Sequence, residues 1–148
     1  MIYMDENLEL LEYIYQNAEM GVFTLTKLIK KINDKENKIK KLVEEQLKGY
    51  EEYLKDSKKL LKKNDEEAKS NTVMSKISAS MGIDMEVMKD NSDASIAHML
   101  TQGITMGVVD ITTKIDNYKE SVDGKNLKLA KDFLQFQEEQ LKILKSYL

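Results

Sequence analysis

Four polar side chains fall where the sequence predicts the middle of a helix bundle. Glu19 borders an apolar stripe, and Gln46 shares the inward face of the next helix with Tyr50. Gln137 lies at the centre of the last apolar face. Counting residues from the predicted turns brings all of these side chains to a similar height. Such a cluster could bind a metal ion or a small polar ligand, or form a buried hydrogen-bond network.

Three glycines are predicted near the same height as this cluster. Gly103 and Gly107 are four residues apart on one apolar face, and Gly21 faces them from the first helix. A glycine inside a helix costs about 0.5–1 kcal/mol relative to alanine, so its presence indicates a local need for space. We expect close packing of backbones there, with a pocket beside Glu19 as the alternative.

The other candidates for chemistry have structural explanations. His98, the only histidine, lies on the polar side of its helix, which predicts a surface position. Asp110 precedes Lys114 by one turn, and this spacing predicts a local ion pair. A helically spaced methionine stripe is typical of core or of an adaptable contact surface rather than of a copper site. It consists of Met74, Met81, Met85 and Met88.

Composition excludes several classes of protein. The chain has no cysteine, which excludes disulfide partners and cysteine-based metal sites. All 23 basic residues are lysines. Without arginine and with a net charge of −3, nucleic-acid binding is not expected. No window predicts a membrane span, the opening residues lack the pattern of a signal peptide, and the predicted location is cytoplasmic. Sequence motifs of hydrolases, P-loops and Rossmann folds are missing.

Amphipathic spacing and the absence of proline predict long helices with short turns. Asp5 is a candidate N-cap, and residues 90–93 interrupt the third region, which is either one broken helix or two helices. The predicted fold is all-α, one domain over residues 1–148, with an antiparallel up-down bundle of four long helices that could count as five. The predicted helices are 5–32, 35–64, 72–89, 93–118 and 125–148.

Two helices have apolar faces that are wider than a simple bundle needs. The helix over 93–118 is apolar around more than half of its circumference, and the last helix is similar. The surplus surface must be covered by residues 72–89 or by another subunit. We therefore expect a homodimer through these faces.

In helix number, helix length and mid-bundle polar residues, the chain resembles the ferritin-like superfamily. That resemblance implies a centre of two iron or manganese ions, held by glutamates and by Glu-x-x-His pairs. Here the position three residues before His98 is Ser95, and the polar cluster contains one carboxylate. We therefore expect a non-enzymatic protein without cofactor that acts in assembly or partner binding. The alternatives are a metal-binding or redox protein using Glu19, and a carrier of a small apolar ligand.

Overall fold

A computed structural model describes residues 5–148, and all regular elements in that range are helical, which confirms the all-α prediction. The prediction about a signal peptide rests partly on residues 1–4, which lie outside the described residues. The last helix ends at Leu144 rather than Leu148, because the chain tightens into a 3-10 turn. The elements are α1 (Glu6–Lys31), α2 (Lys40–Lys63), α3 (Val73–Lys89), α4 (Asp93–Tyr118), α5 (Gly124–Leu144) and the 3-10 turn (Lys145–Tyr147).

Local capping explains where most of the helices begin. The side chain of Asp5 accepts a hydrogen bond from the backbone N–H of Asn7 at 2.8 Å, as predicted. Thr72, Ser92 and Asp123 cap α3, α4 and α5 in the same way. Each cap satisfies a backbone donor that the first helical turn leaves free.

Helix α2 begins later than the predicted residue 35, because the preceding segment is bound to the start of α4. The carboxylate of Asp93 accepts hydrogen bonds from the backbone N–H groups of Lys38 at 3.1 Å and Ile39 at 3.4 Å. It also accepts one from the amide of Asn37 at 2.9 Å. These donors serve a contact between distant parts of the chain, so the segment does not extend the helix.

The four helices other than α3 share a common core. Helix α1 packs along α2 and also contacts α4 and α5, while α5 packs against α4 and contacts α2. Tyr118 donates to Glu9 at 2.8 Å, while Tyr13 donates to the carbonyl of Gly107 at 3.4 Å, so α4 runs antiparallel to α1. The core includes Leu10, Ile14, Leu28, Val43, Ile96, Ile111, Phe133 and Leu144.

Helix α3 lies outside this core, against α1 and α4. Lys76 meets Glu19 at 3.4 Å, and further along Asp84 meets Lys31 at 2.8 Å, so α3 runs parallel to α1. It therefore runs opposite to α4, and the third region is two separate helices rather than one interrupted helix. Within Val73–Lys89, Ile83 is the buried residue.

The outward face of α3 is apolar and exposed, which corrects the expectation that its methionines are core. Met81 is 60% exposed and Met88 is 85% exposed. Helix α3 contacts α4 but, among the described residues, not α5, so it covers only part of the wide apolar faces and leaves Met106, Val109 and Ile143 exposed. No helix within residues 5–148 has the length and apolar character needed to span a membrane. The exposed apolar residues of α3 are Val73, Met74, Ile77, Met81, Met85 and Met88.

Candidate ligand-binding site

A cavity of about 420 Å³ lies between α1 and α4. Helix α3 covers it through Ile83, while α2 and α5 contribute Gln46, Tyr50 and Gln137. The gap forms because α4 approaches α1 closely at Gly107 but not at Gly103. Aliphatic and thioether side chains supply much of the wall, including Met20, Leu25, Leu28, Met99, Leu100 and Ile104.

A chain of hydrogen bonds beside the cavity joins all four core helices. The amide nitrogen of Gln137 donates to the hydroxyl of Tyr50 and to the amide oxygen of Asn17, both at 3.3 Å. Asn17 donates in turn to the hydroxyl of Tyr13 at 3.3 Å, and Tyr13 donates to the carbonyl of Gly107. Tyr50 and Gln137, two members of the predicted cluster, are thus brought together.

Gln46 lines the same cavity without making any of these bonds. Its side chain is 0% exposed, and neither Nε2 nor Oε1 has a hydrogen-bond partner within the described residues. Gln137 is 1% exposed, and its Oε1 likewise has no partner in residues 5–148. Buried polar atoms are normally paired, and leaving one unpaired costs about 1–3 kcal/mol. The cavity therefore presents unused donors and acceptors inside a mostly apolar wall.

Glu19 is turned away from the other members of the predicted cluster and is not among the residues that line the cavity. Its carboxylate accepts hydrogen bonds from the backbone N–H of Asn71 at 2.7 Å and from the Asn71 amide at 3.0 Å. Burial alone would raise the pKa of Glu19, but these bonds and the charge of Lys76 outweigh it and lower the pKa. Glu19 therefore anchors the connection that precedes α3 against α1.

Close packing is found at Gly21 and Gly107, and the cavity lies beside Gly21 and Gly103 rather than beside Glu19. A Cβ on Gly21 would lie 2.8 Å from the ring of Tyr50, and one on Gly107 would lie 2.8 Å from the amide nitrogen of Gln137. These glycines permit close packing. A Cβ on Gly103 would meet nothing within 4 Å, and this residue lines the cavity.

His98 is exposed, and Asp110 lies exposed at the rim of the cavity. The predicted pairing of Asp110 with Lys114 is wrong. The ammonium of Lys114 lies 3.7 Å from the carboxylate of Glu9 and 5.2 Å from the centroid of the Tyr13 ring.

Burial, opposed by the hydrogen bond from Asn17 and reinforced by Asp110, raises the pKa of Tyr13 to about 12. The Tyr13 hydroxyl is therefore neutral at ordinary pH.

Sequence reasoning missed Tyr13 and Asn17, although a signal was present. Together with Gly21 they form an i, i+4 column beside the apolar stripe of α1. A column of polar and small residues next to a stripe indicates a second inward surface. Asn71, which also lines the cavity, had no such signal because it lies in a connection without periodicity.

The donor set offers little to a metal ion. Within residues 5–148, no group of three or more histidine, cysteine, aspartate or glutamate residues could hold one. The carboxylate of Glu19 is engaged by Asn71 and Lys76, and the polar groups that line the cavity are neutral apart from Asp110 at its exposed rim. Neutral ligands compensate little of the charge of a divalent cation.

No protein-family model, curated protein or solved structure matches the chain. Two features distinguish this cavity from a packing defect: its volume of about 420 Å³ and the unpaired amide of Gln46. Engineered packing defects with apolar linings offer no such hydrogen-bonding groups.

Proposed function

We propose that the protein binds a small, largely apolar molecule in the cavity between α1 and α4. The unpaired amide of Gln46 carries this proposal, because it is fully buried and lines the cavity. If packing alone governed this position, an apolar side chain of similar size would avoid the cost of an unpaired amide. A bound ligand would supply the missing hydrogen bonds.

The dimensions and composition of the cavity support the same role. Pockets for small ligands typically enclose about 300–1,000 Å³, with mostly apolar walls and a few polar groups that orient the ligand. The gap between helices of a bundle is one of the common places for such a pocket. Binding without a chemical step agrees with the non-enzymatic role expected from the sequence.

Methyl 2-naphthyl ketone is a suitable probe, because it is neutral, apolar and rigid. Isothermal titration calorimetry measures its binding directly. We expect saturable binding at one site per chain. In the variant Gly103→Leu, the new side chain should enter the cavity and weaken binding at least tenfold.

Gly82→Leu is the matched control for this substitution. Gly82 is also a helical glycine at which a Cβ would meet nothing within 4 Å, but it does not line the cavity. Both changes replace glycine by leucine inside a helix, so both should keep or raise stability. Equal loss of binding in the two variants, or no binding to the unmodified protein, would contradict the proposed function.

We further propose that α1, α2, α4 and α5 form a four-helix bundle of the ferritin-like kind, with α3 as an added cover that stands between α2 and α4 along the chain. The common core of these four helices and the antiparallel contact of α4 with α1 support this arrangement. In this scheme the cavity takes the place that a metal centre has in ferritin-like proteins. A binding cavity and a metal centre would then be two uses of the same space between helices.

Self-association through α3 is a second candidate function, in line with the expected homodimer. Between Val73 and Met85, the charged residues Lys76 and Asp84 both form ion pairs with α1. The outward face over this stretch is therefore apolar and uncharged. A second copy of the same face could pack against it without charge repulsion, whereas an acidic or basic partner would find no complementary charge.

A further inference from the structure

The unpaired groups of the cavity define what a ligand has to offer. Gln46 presents a donor and an acceptor on adjacent atoms of one planar amide, and both are unpaired within the described residues. Gln137 presents an acceptor, because its nitrogen is already used by Tyr50 and Asn17. A complementary head group needs a hydrogen-bond donor and an acceptor side by side.

The charge of the cavity restricts the ligand further. Among residues 5–148, no lysine lines the cavity, and its one charged lining residue is Asp110 at the exposed rim. Burial raises the pKa of Tyr50, partly offset by the hydrogen bond from Gln137, so this hydroxyl also stays protonated. An anionic head group would lose its hydration without gaining a counter-charge, which is strongly unfavourable.

We propose that the cavity recognises a neutral carboxamide, whose N–H and C=O pair with the amide of Gln46 while its hydrocarbon body lies against the apolar walls. This inference rests on the proposed binding function. Two primary amides can pair through two parallel hydrogen bonds, because each has an N–H on the same planar edge as its C=O. An alcohol has both on a single atom, which cannot lie in line with both groups of Gln46.

A primary amide suits the site better than a secondary one. Its nitrogen has a second hydrogen, which can serve the unpaired Oε1 of Gln137, a residue that also lines the cavity. The apolar body would lie among side chains such as Leu25, Leu28 and Ile104. All of the unpaired groups noted for Gln46 and Gln137 would then be satisfied by one ligand.

Three probes of nearly identical shape test this inference: 2-naphthamide, methyl 2-naphthyl ketone and 2-naphthoate. The ketone keeps the carbonyl but replaces the amide nitrogen by a methyl group, and the naphthoate carries a negative charge. We expect 2-naphthamide to bind at least tenfold more tightly than the ketone, because the ketone leaves acceptors of the cavity unpaired. The naphthoate should bind most weakly.

The variant Gln46→Met tests whether Gln46 causes the preference for the amide over the ketone. It should lose most of the preference for the amide over the ketone, because the paired donor and acceptor of Gln46 are gone and only the acceptor of Gln137 remains. Gln46→Leu serves as a second apolar replacement, and the circular dichroism of both variants shows whether they are folded. Retention of the amide preference by folded Gln46→Met and Gln46→Leu would overturn the inference.

The outcomes separate this inference from the proposed function. Equal binding of all three probes to the unmodified protein would overturn carboxamide recognition, while the binding function would stand. Preference for the naphthoate would overturn the neutral character of the site. Binding of none of the probes would contradict both proposals.

Discussion

Two buried glutamines on facing helices differ in whether their amides form hydrogen bonds. The bonded amide is expected to stabilise the fold, and the unbonded amide is expected to act in ligand binding. Gln137 holds Tyr50 and Asn17 through its nitrogen, whereas Gln46 bonds to nothing within the described residues. A paired buried amide contributes to the fold, but an unpaired one costs free energy. Residues that oppose stability in this way are expected at functional sites.

We therefore predict that Gln46→Met stabilises the protein. The free energy of unfolding should rise by about 1–3 kcal/mol, because an unpaired buried amide is replaced by an apolar side chain of similar length. Urea unfolding followed by circular dichroism measures the change.

Gln137→Met is the matched control, since it removes a buried glutamine of the same size from the neighbouring wall. It should lower the free energy of unfolding, because Tyr50 and Asn17 lose their common donor. A loss of stability in Gln46→Met equal to that in Gln137→Met would show that Gln46 is structurally satisfied.

At the scale of helices, glycine sets how closely α1 and α2 approach. A Cβ at Gly21 would lie 2.8 Å from both Cγ and Cδ1 of Tyr50, the inner part of a ring that is itself buried. Neither the ring nor the helix can shift easily, because Tyr50 also packs edge-on against Phe133 and Phe136. Glycine at position 21 lowers the intrinsic stability of α1, but it permits the close packing of α1 against α2.

Gly21→Ala should consequently destabilise the protein by about 1–3 kcal/mol, the usual cost of overpacking a core. Gly82→Ala is the opposite case, because the added methyl group meets nothing within 4 Å. It should stabilise the protein by about 0.5–1 kcal/mol through helix propensity. Thermal and urea unfolding of both variants would reveal opposite signs, and the same sign in both would refute the close-approach argument.

A second prediction at this scale concerns the attachment of α3 through Glu19. The folded protein holds the pKa of Glu19 below its ordinary value, so the unfolded chain binds its proton more readily. The stabilisation is fully present above the ordinary pKa and is lost as the pH falls through the folded pKa. Glu19→Gln should therefore lower the free energy of unfolding at neutral pH, with the difference from the unmodified protein shrinking at acidic pH, below the ordinary glutamate pKa.

Unfolding by urea at both pH values measures this effect, with Glu44→Gln as the control. Glu44 is exposed on α2, so the same loss of charge there should change stability little at either pH. A difference between Glu19→Gln and the unmodified protein that is the same at neutral and acidic pH would contradict the role assigned to the ionised carboxylate.

The elements also show which features a sequence can predict. Asp5 was predictable as a cap because its hydrogen bond reaches two residues along the chain. The start of α2 was not, because it depends on Asp93, more than fifty residues away. Counting helix heights brought Tyr50 and Gln137 together correctly, but the direction of Glu19 depends on a connection without periodicity.

At the scale of the whole molecule, the methionine stripe shows the limit of periodicity. Helical spacing indicates that Met74, Met81, Met85 and Met88 share a face, but it does not say whether that face is turned toward the core. In the structure α3 uses Ile83 for its contact with the core and turns the methionines outward. Helix α3 covers part of the surplus apolar surface inferred for α4 but not that of α5, and it adds an exposed apolar surface of its own.

The extent of this surface predicts how strongly two copies associate. A helix of 17 residues is about 26 Å long, and a stripe about 10 Å wide along it offers roughly 250 Å². Stable interfaces bury about 800 Å² on each partner, so association through α3 alone should be weak and reversible. The mass measured by light scattering should rise with concentration from 17.1 kDa toward twice that value.

A charged side chain placed in the exposed apolar face of α3 should prevent this association. Each of the two copies would bring one charge of the same sign into the interface, and both charges would lose their hydration. Met81→Lys should therefore stay monomeric at every concentration, with its helical circular dichroism unchanged, since Met81 is 60% exposed. Thr112→Lys, which adds the same charge at an exposed position on α4, should associate like the unmodified protein. If both variants lose association equally, net charge rather than the α3 face controls it, and if neither does, another surface is responsible.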